Sequence, residues 1–300
     1  MTIEDCRFSS NRAHSSLGGF GGAVGVTGLD SVVIRRTEFA DNSADDYGGH
    51  LYVYSAQTAL LDECSFLEGA TAGVAGQLAF IDARTVGITN CKFQSHSPST
   101  SGVSGVRVDA WTLRVDGCHV LDRGAPHATR WAIATPSPPG ASPAYDVSNS
   151  TFVAAAGNYY GAVSIESDWN AIAVTHSTFR NVTLRIFTIG TNPVVVSNTI
   201  VAGAPTLVES SGAPAVFCNV FWPDAPDVHA PDQTQVAHNR TADPLFCSDA
   251  GGDESVRDGG PCVASPDGCG LIGAVGIGCA QTAVSNTTWG RIKAQFRESR

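Results

Sequence analysis

A short motif recurs nine times within residues 3–221, and its spacing is what most restricts the fold. The motif is an apolar residue, two mostly polar residues, a small residue, any residue, and then usually Phe or Val. The first two copies read Ile3-Glu4-Asp5-Cys6-Arg7-Phe8 and Ile34-Arg35-Arg36-Thr37-Glu38-Phe39. The last apolar residue of each copy falls at Phe8, Phe39, Phe66, Phe93, Val120, Phe152, Phe179, Val201 and Phe221. The steps are 31, 27, 27, 27, 32, 27, 22 and 20 residues, so one period returns four times unchanged. A fixed period of this length marks a chain of stacked units, none of which can bury its apolar face alone. A β-sandwich of similar strand content has no reason to repeat at 27.

Each copy alternates in the manner of strands. Val86 and Ile88 share one face, and Cys91 and Phe93 share another. The two polar residues between them shift the parity, which places a corner there. Asp62-Glu63, Thr89-Asn90, Asp116-Gly117 and Ser197-Asn198 suit such corners. A third apolar stretch follows, often after glycine, as in Gly49-His50-Leu51-Tyr52-Val53, Gly105-Val106-Arg107-Val108 and Gly161-Ala162-Val163-Ser164-Ile165. One period therefore holds three short strands and three corners. Stacked coil on coil, these strands form three parallel sheets around one core. At about 4.8 Å per coil, nine coils make a rod roughly 40 Å long. Like positions then stack as files: Cys64, Cys91 and Cys118 in one, Phe39, Phe66 and Phe93 in another. Asn90, Asn149 and Asn198 suit a partial amide ladder at one corner.

The C-x-F-x-x-N-x-A copy at Cys6–Ala13, its near copy at Thr37–Ala44, and the Gly-Gly pairs at 21–22 and 48–49 resemble the repeats of chlamydial-type polymorphic outer-membrane proteins. More broadly, residues 3–221 resemble bacterial right-handed parallel β-helix proteins of the pectate-lyase-like superfamily. The stretch from Asn219-Val220-Phe221-Trp222 through Asp243-Pro244-Leu245-Phe246-Cys247 to Cys269-Gly270-Leu271-Ile272-Gly273-Ala274 resembles the closing segment of secreted members. The resemblance implies an all-β, right-handed parallel β-helix of about nine coils, and an exported protein. Such motifs specify a fold far better than a chemistry.

The expected organisation is a solenoid at 1–221, a loop and cysteine-containing cap at 222–279, and a tail at 280–300. The longest insertion, Asp122–Pro143, with Pro136, Pro138, Pro139 and Pro143, reads as a surface loop. Residues 222–242, rich in Pro and Asp, read as another loop, and 243–279 as a plug that closes the C-terminal end of the core. In the tail, Trp289, Ile292 and Phe296 fit one face of a short helix. The chain opens on structural sequence rather than on a secretory signal. It is thus either cytoplasmic or a piece of a longer exported chain; a repeat cut near its first residue favours the second reading. The net charge of −10 argues against nucleic acid as a partner. No apolar run has the length of a membrane span.

Nine cysteines fall into two sets. Cys6, Cys64, Cys91 and Cys118 take the inward small-residue position, where Cys interchanges with Thr and Ser. Cys218, Cys247, Cys262, Cys269 and Cys279 cluster near the end, as disulfides of an exported cap would. Cys247–Cys262 and Cys269–Cys279 are the simplest pairs. The C-x2-C spacing of a zinc site is absent.

Asp45-Asp46-Tyr47-Gly48-Gly49-His50 is the most chemical-looking cluster: two carboxylates and an imidazole can do acid–base work or hold calcium. The same acids also suit a plain corner before a glycine turn. Asp243, Asp249, Asp253 and Glu254 are calcium candidates, the one cofactor the sequence raises, although loop acids are often simply solvated. Tyr52, Tyr54, Tyr159, Tyr160 and Trp169 could offer stacking surface for sugars or serve as packing residues. Asn149, Asn181, Asn239 and Asn286 match the common glycosylation pattern. A glycosidase needs two carboxyl groups facing each other across a groove, and no file of Asp at matching outward positions is evident. Arg291-Ile292-Lys293 mimics a polygalacturonase motif, but the companion Asn-Thr-Asp and Gly-His-Gly motifs are absent.

The leading expectation is a non-enzymatic extracellular or cell-surface scaffold that binds glycans or surface proteins through its loops. The alternative is a polysaccharide lyase or glycoside hydrolase. A third reading is the terminal portion of an adhesin or autotransporter-like chain.

Overall fold

The computed structural model describes the chain except residues 15–18, 72–75, 96–104, 123–129, 135–143, 155–161, 168–170, 190, 231–235, 248–252, 264–267 and 280–300. The expected tail helix therefore lies outside the described residues. Elsewhere the chain is all β, wound as a parallel β-helix. A ten-stranded parallel sheet takes one strand from each turn, from Arg7–Ser9 to Arg240–Thr241. Its register places Phe8, Phe39, Phe66, Phe93, Val120, Phe152, Phe179, Val201 and Phe221 side by side without a slip. A second, 17-stranded sheet supplies the other two faces of the coil. It counts as one because Leu78–Thr89 and Val106–Asp116 run unbroken from one face to the next. A three-stranded sheet of Arg12–Ala13, Ser43–Ala44 and Ala70–Thr71 adds a small side to the first turns.

The expected corners hold a backbone device. Asp5, Arg36, Glu63, Asn90, Gly117, Asn149, His176, Asn198, Cys218 and His238 all take positive φ, between 46° and 65°, one in each turn. A single left-handed residue turns the chain between two strands, and Asn, Asp and Gly tolerate it best. The next residue points inward. This file runs Thr37, Cys64, Cys91, Cys118, Ser150, Ser177, Thr199 and Asn219, all buried. Each of these side chains donates to a backbone carbonyl at the corner: Thr37 to Arg35 at 2.8 Å, Cys91 to Thr89 at 3.2 Å, Ser150 to Ser148 at 2.7 Å, Asn219 to Val196 at 2.8 Å. Several also accept an amide from the turn before, as Ser150 does from Cys118 at 3.1 Å. Cys, Thr, Ser and Asn interchange because all are small and can donate into this corner. Packing against its thiol neighbours and burial raise the Cys91 pKa, so it stays protonated.

The Gly-Gly pairs have an equally local cause. Gly48 needs its left-handed backbone, with φ 62°. A Cβ on Gly49 would sit 2.2 Å from the Gly76 carbonyl oxygen, and one on Gly22 the same distance from that of Gly49.

Four expectations are corrected. First, the described part of residues 222–242 adds a tenth turn rather than a plain loop: Asp227–His229 pairs with Thr206–Ser210, Val236–Ala237 with Ala215–Phe217, and Arg240–Thr241 with Val220–Trp222. Proline and aspartate at its corners mask the short strands. Second, the Asp122–Pro143 insertion contains Arg130–Ala134, a strand bonded between Val106–Asp116 and Ala162–Ser167. Third, Asn90, Asn149 and Asn198 do not stack on one another. Each reaches back to the preceding corner instead, to Asp62, Asp116 and His176. Amide pairs form at Asn11–Asn42 and Asn219–Asn239, where Asn occupies consecutive turns.

Fourth, the contacts of the described residues within 243–279 include the flank of the rod, where an end plug alone was expected. Ile200, Ala202 and Val220 face outward from the ten-stranded sheet, yet they are buried with Phe246, Val256, Cys262 and Ile272 in a second apolar cluster. Gly273 donates to the Asn198 carbonyl at 2.8 Å, Ala274 to Thr178 Oγ1 at 3.1 Å, and Arg240 to the Pro261 carbonyl at 2.9 Å. The Arg180 guanidinium lies 4.7 Å from the Phe246 ring centroid.

The disulfides follow this path. They are Cys218–Cys269, which pins the flank segment to a corner of the rod, and Cys247–Cys279 within the segment. The simplest pairs named above do not form, because the return path brings Cys269 over Cys218. Cys262 is a free, buried thiol whose pKa burial pushes up to about 12. Two disulfides indicate folding in an oxidising, extracytoplasmic compartment. Removing the first by Cys218→Ser and Cys269→Ser should cost about 2–4 kcal/mol in denaturant unfolding. It should also open the flank segment to limited proteolysis, whereas an unchanged cleavage pattern would show that the apolar cluster holds the segment alone.

Candidate functional site

The Asp45, Asp46 and His50 constellation does not assemble. Asp45 is held by His14 Nδ1 and, at 3.8 Å, by Arg12. The Asp46 backbone amide bonds the Gly19 carbonyl. His50 turns inward, fully buried between the rings of Phe39 and Phe66 at 6.1 and 6.0 Å. Asn42 Nδ2 donates to its Nδ1 at 3.1 Å, which places the proton on Nε2. Nε2 has no partner at hydrogen-bonding geometry. Burial lowers the His50 pKa to about 3, and the Leu67 carbonyl offsets this only in part. The buried, neutral His50 ring therefore packs among the core rings, away from the Asp45 carboxylate that His14 and Arg12 hold.

Beside this segment the structure brings together something the sequence held only in fragments. Tyr52 and Tyr54 lie on Leu51–Tyr54, two residues apart and therefore on one outward face. Their rings stack at 6.4 Å, 5° apart. Phe20 and Tyr47, bridged across adjacent turns, stack at 5.9 Å. Phe20 meets Tyr52 at 5.0 Å and Tyr47 meets Tyr52 at 6.0 Å. Four rings thus form one continuous platform. Phe20 and Tyr54 are 41% and 40% exposed, so the platform faces solvent. Tyr52 sits in register between Gly25 and Ala79 on the adjacent turns. Burial, followed by the neighbouring Tyr54 and Tyr47, raises the Tyr52 pKa, so the phenol stays neutral. The alternation of Leu51-Tyr52-Val53-Tyr54 signals the outward tyrosines, but nothing local signals that Phe20 and Tyr47 join them. Tyr159, Tyr160 and Trp169 lie outside the described residues.

A second polar group sits on the adjacent face. Asp116 accepts from Arg114 at 2.9 Å, Asn149 at 2.8 Å and Ser148 at 3.2 Å. Burial opposes its charge, but these hydrogen bonds outweigh that and hold its carboxyl below the usual range. Asp146 lies one turn on, opposite Arg114. Burial raises its pKa, Arg114 draws it back, and the Asp116 charge adds to the rise. Sequence inspection missed this pair because the two acids stand at diagonal positions rather than in one file.

The calcium candidates do not converge. Asp243 Oδ1 accepts the Leu245 amide at 2.9 Å, and Asp253 accepts from the Ser255 amide and hydroxyl. Those bonds lower the Asp253 pKa. Glu254 is buried, close enough to raise the pKa of His119, which burial otherwise lowers. Asp249 lies outside the described residues. Among the described residues no group of three or more His, Cys, Asp or Glu is arranged to hold a metal ion. No helix among them is long and apolar enough to cross a membrane.

No family model, curated protein or solved structure matches this chain.

Proposed function

We propose that this chain is a non-enzymatic scaffold, extracellular or at the cell surface, that binds glycans through the Phe20–Tyr47–Tyr52–Tyr54 platform. One observation carries the reading: four rings form one contiguous, partly exposed patch, Tyr52 and Tyr54 on the strand Leu51–Tyr54 and Phe20 and Tyr47 joined by a parallel bridge across adjacent turns. Exposed rings in a contiguous patch mark an interaction surface, and pyranose rings have an apolar C–H face that stacks on aromatics. The strand that carries Tyr52 and Tyr54 keeps those two rings pre-organised, so less ordering entropy opposes binding there. The resemblance to exported β-helix repeats, including those of polymorphic outer-membrane proteins, supports the same location. Tyr52→Ala with Tyr54→Ala should abolish retention on immobilised glycans while far-UV circular dichroism stays unchanged. Retention by the double variant equal to that of the parent chain overturns the reading.

A second reading is favoured by the carboxyl pair whose pKa values move in opposite directions, Asp116 down and Asp146 up. Such a divergence is the arrangement of a glycosidase acid and its charged partner. Reducing-end assays on neutral and acidic polysaccharides test it. Cleavage that Asp146→Asn abolishes would replace the scaffold with a carbohydrate-active enzyme.

A further inference from the structure

We infer that the glycan taken by the aromatic platform is cationic, a chain of amine-bearing sugars. This rests on the platform being a glycan site and adds the charge of its ligand. Residues 1–82 contain eleven Asp and Glu against four Arg and no Lys. The four arginines are all closed by carboxylates: Arg7 by Glu38 at 3.0 Å, Arg12 by Asp45 at 3.8 Å, Arg35 by Glu4 at 3.2 Å and Arg36 by Asp5 at 2.8 Å. Arg107, two strands beyond Tyr52 in the same outward file, is closed by the buried Asp109 at 2.8 Å. Arg84, just past the corner beyond Tyr54, lies over the Trp111 ring at 5.7 Å, so the described arginines nearest the rings are each engaged by a carboxylate or by another ring.

Three acids that close no arginine flank the platform. Asp46 immediately precedes Tyr47. At the other side the corner after Tyr54 stacks Gly28, Ser55 and Asp82, which share positive φ and bond from turn to turn. Asp82 and Asp30 are exposed there. Ring faces carry negative quadrupole potential and attract ammonium groups. A surface of one sign steers the opposite charge and repels its own. A polyuronate meets repulsion from both sources, a neutral glycan gains only stacking, and an amino-sugar chain gains stacking, cation–π attraction and steering together.

The test uses the full chain and three oligosaccharides of equal length: a glucosamine oligomer, its fully N-acetylated counterpart and an oligogalacturonate. Titration is done under mildly acidic conditions, where the amines are charged, at low and high salt. The glucosamine oligomer should bind about tenfold tighter than the N-acetylated one at low salt, and that advantage should shrink as salt screens it. Asp30→Asn with Asp82→Asn, which asparagine accommodates at these corner positions, should weaken the amine probe severalfold and leave the N-acetylated probe unchanged. Equal affinity for the charged and N-acetylated oligomers, or tightest binding of the galacturonate, overturns the cationic assignment while the platform remains a glycan site. Binding of none of the three, with folding intact, overturns the glycan reading itself.

Discussion

Phe66→Ala should lower the free energy of unfolding by about 3–5 kcal/mol. Phe66 is fully buried, and its ring is stacked on Phe39 at 5.0 Å and on Phe93 at 4.9 Å, each 10° from parallel. The substitution deletes a large apolar side chain and two aromatic contacts at once. The cavity cannot close by collapse, because in-register parallel hydrogen bonds fix the spacing of the turns above and below. Phe217→Ala is the contrast: that ring is 36% exposed on an outer face, and its loss should cost less than about 1 kcal/mol. Urea unfolding followed by tryptophan fluorescence measures both. A Phe66→Ala loss no larger than that at Phe217 would mean the phenylalanine file does not hold the coils together.

Acid should unfold the protein partly through His50. Its imidazole is neutral in the folded state, with a pKa of about 3, whereas an unfolded chain titrates near 6.5. Between those values the unfolded state binds the extra proton, so stability falls as pH drops from about 6.5 towards 3 and does not change on this account above 6.5. The full span corresponds to roughly 5 kcal/mol. His50→Gln removes the titration and should flatten the acid limb of the stability profile relative to the parent chain, whatever it does to stability at pH 7.5. An NMR titration of the parent imidazole reads the same quantity directly. Parallel acid limbs in the two proteins, or a His50 pKa near 6, would show that the ring is reached by water or by an unseen counter-charge.

These two residues also mark what could be read in advance. Phe66 belongs to a file announced by the 27-residue step, and the structure stacks it as that step requires. His50 looked chemical because it follows two aspartates at a glycine turn. Sequence adjacency could not show that the corner after Gly49 sends its ring into the core while Asp45 stays with Arg12 and His14 outside. The platform was half legible, through the Tyr52–Tyr54 alternation. Phe20 joins it only because coiling brings residues about one period apart side by side.

Periodicity by itself determined the winding, the inward files and the polar corners, since a repeated pattern of burial and turn chemistry has one way to stack. The tertiary structure alone decided where non-repeating parts went: the tenth turn within residues 222–242, the C-terminal segment on the flank, and with it the Cys218–Cys269 pairing. A segment without a period carries no internal copy to register against, so its place depends on which outward apolar residues the finished rod leaves uncovered. Here those were Ile200, Ala202 and Val220.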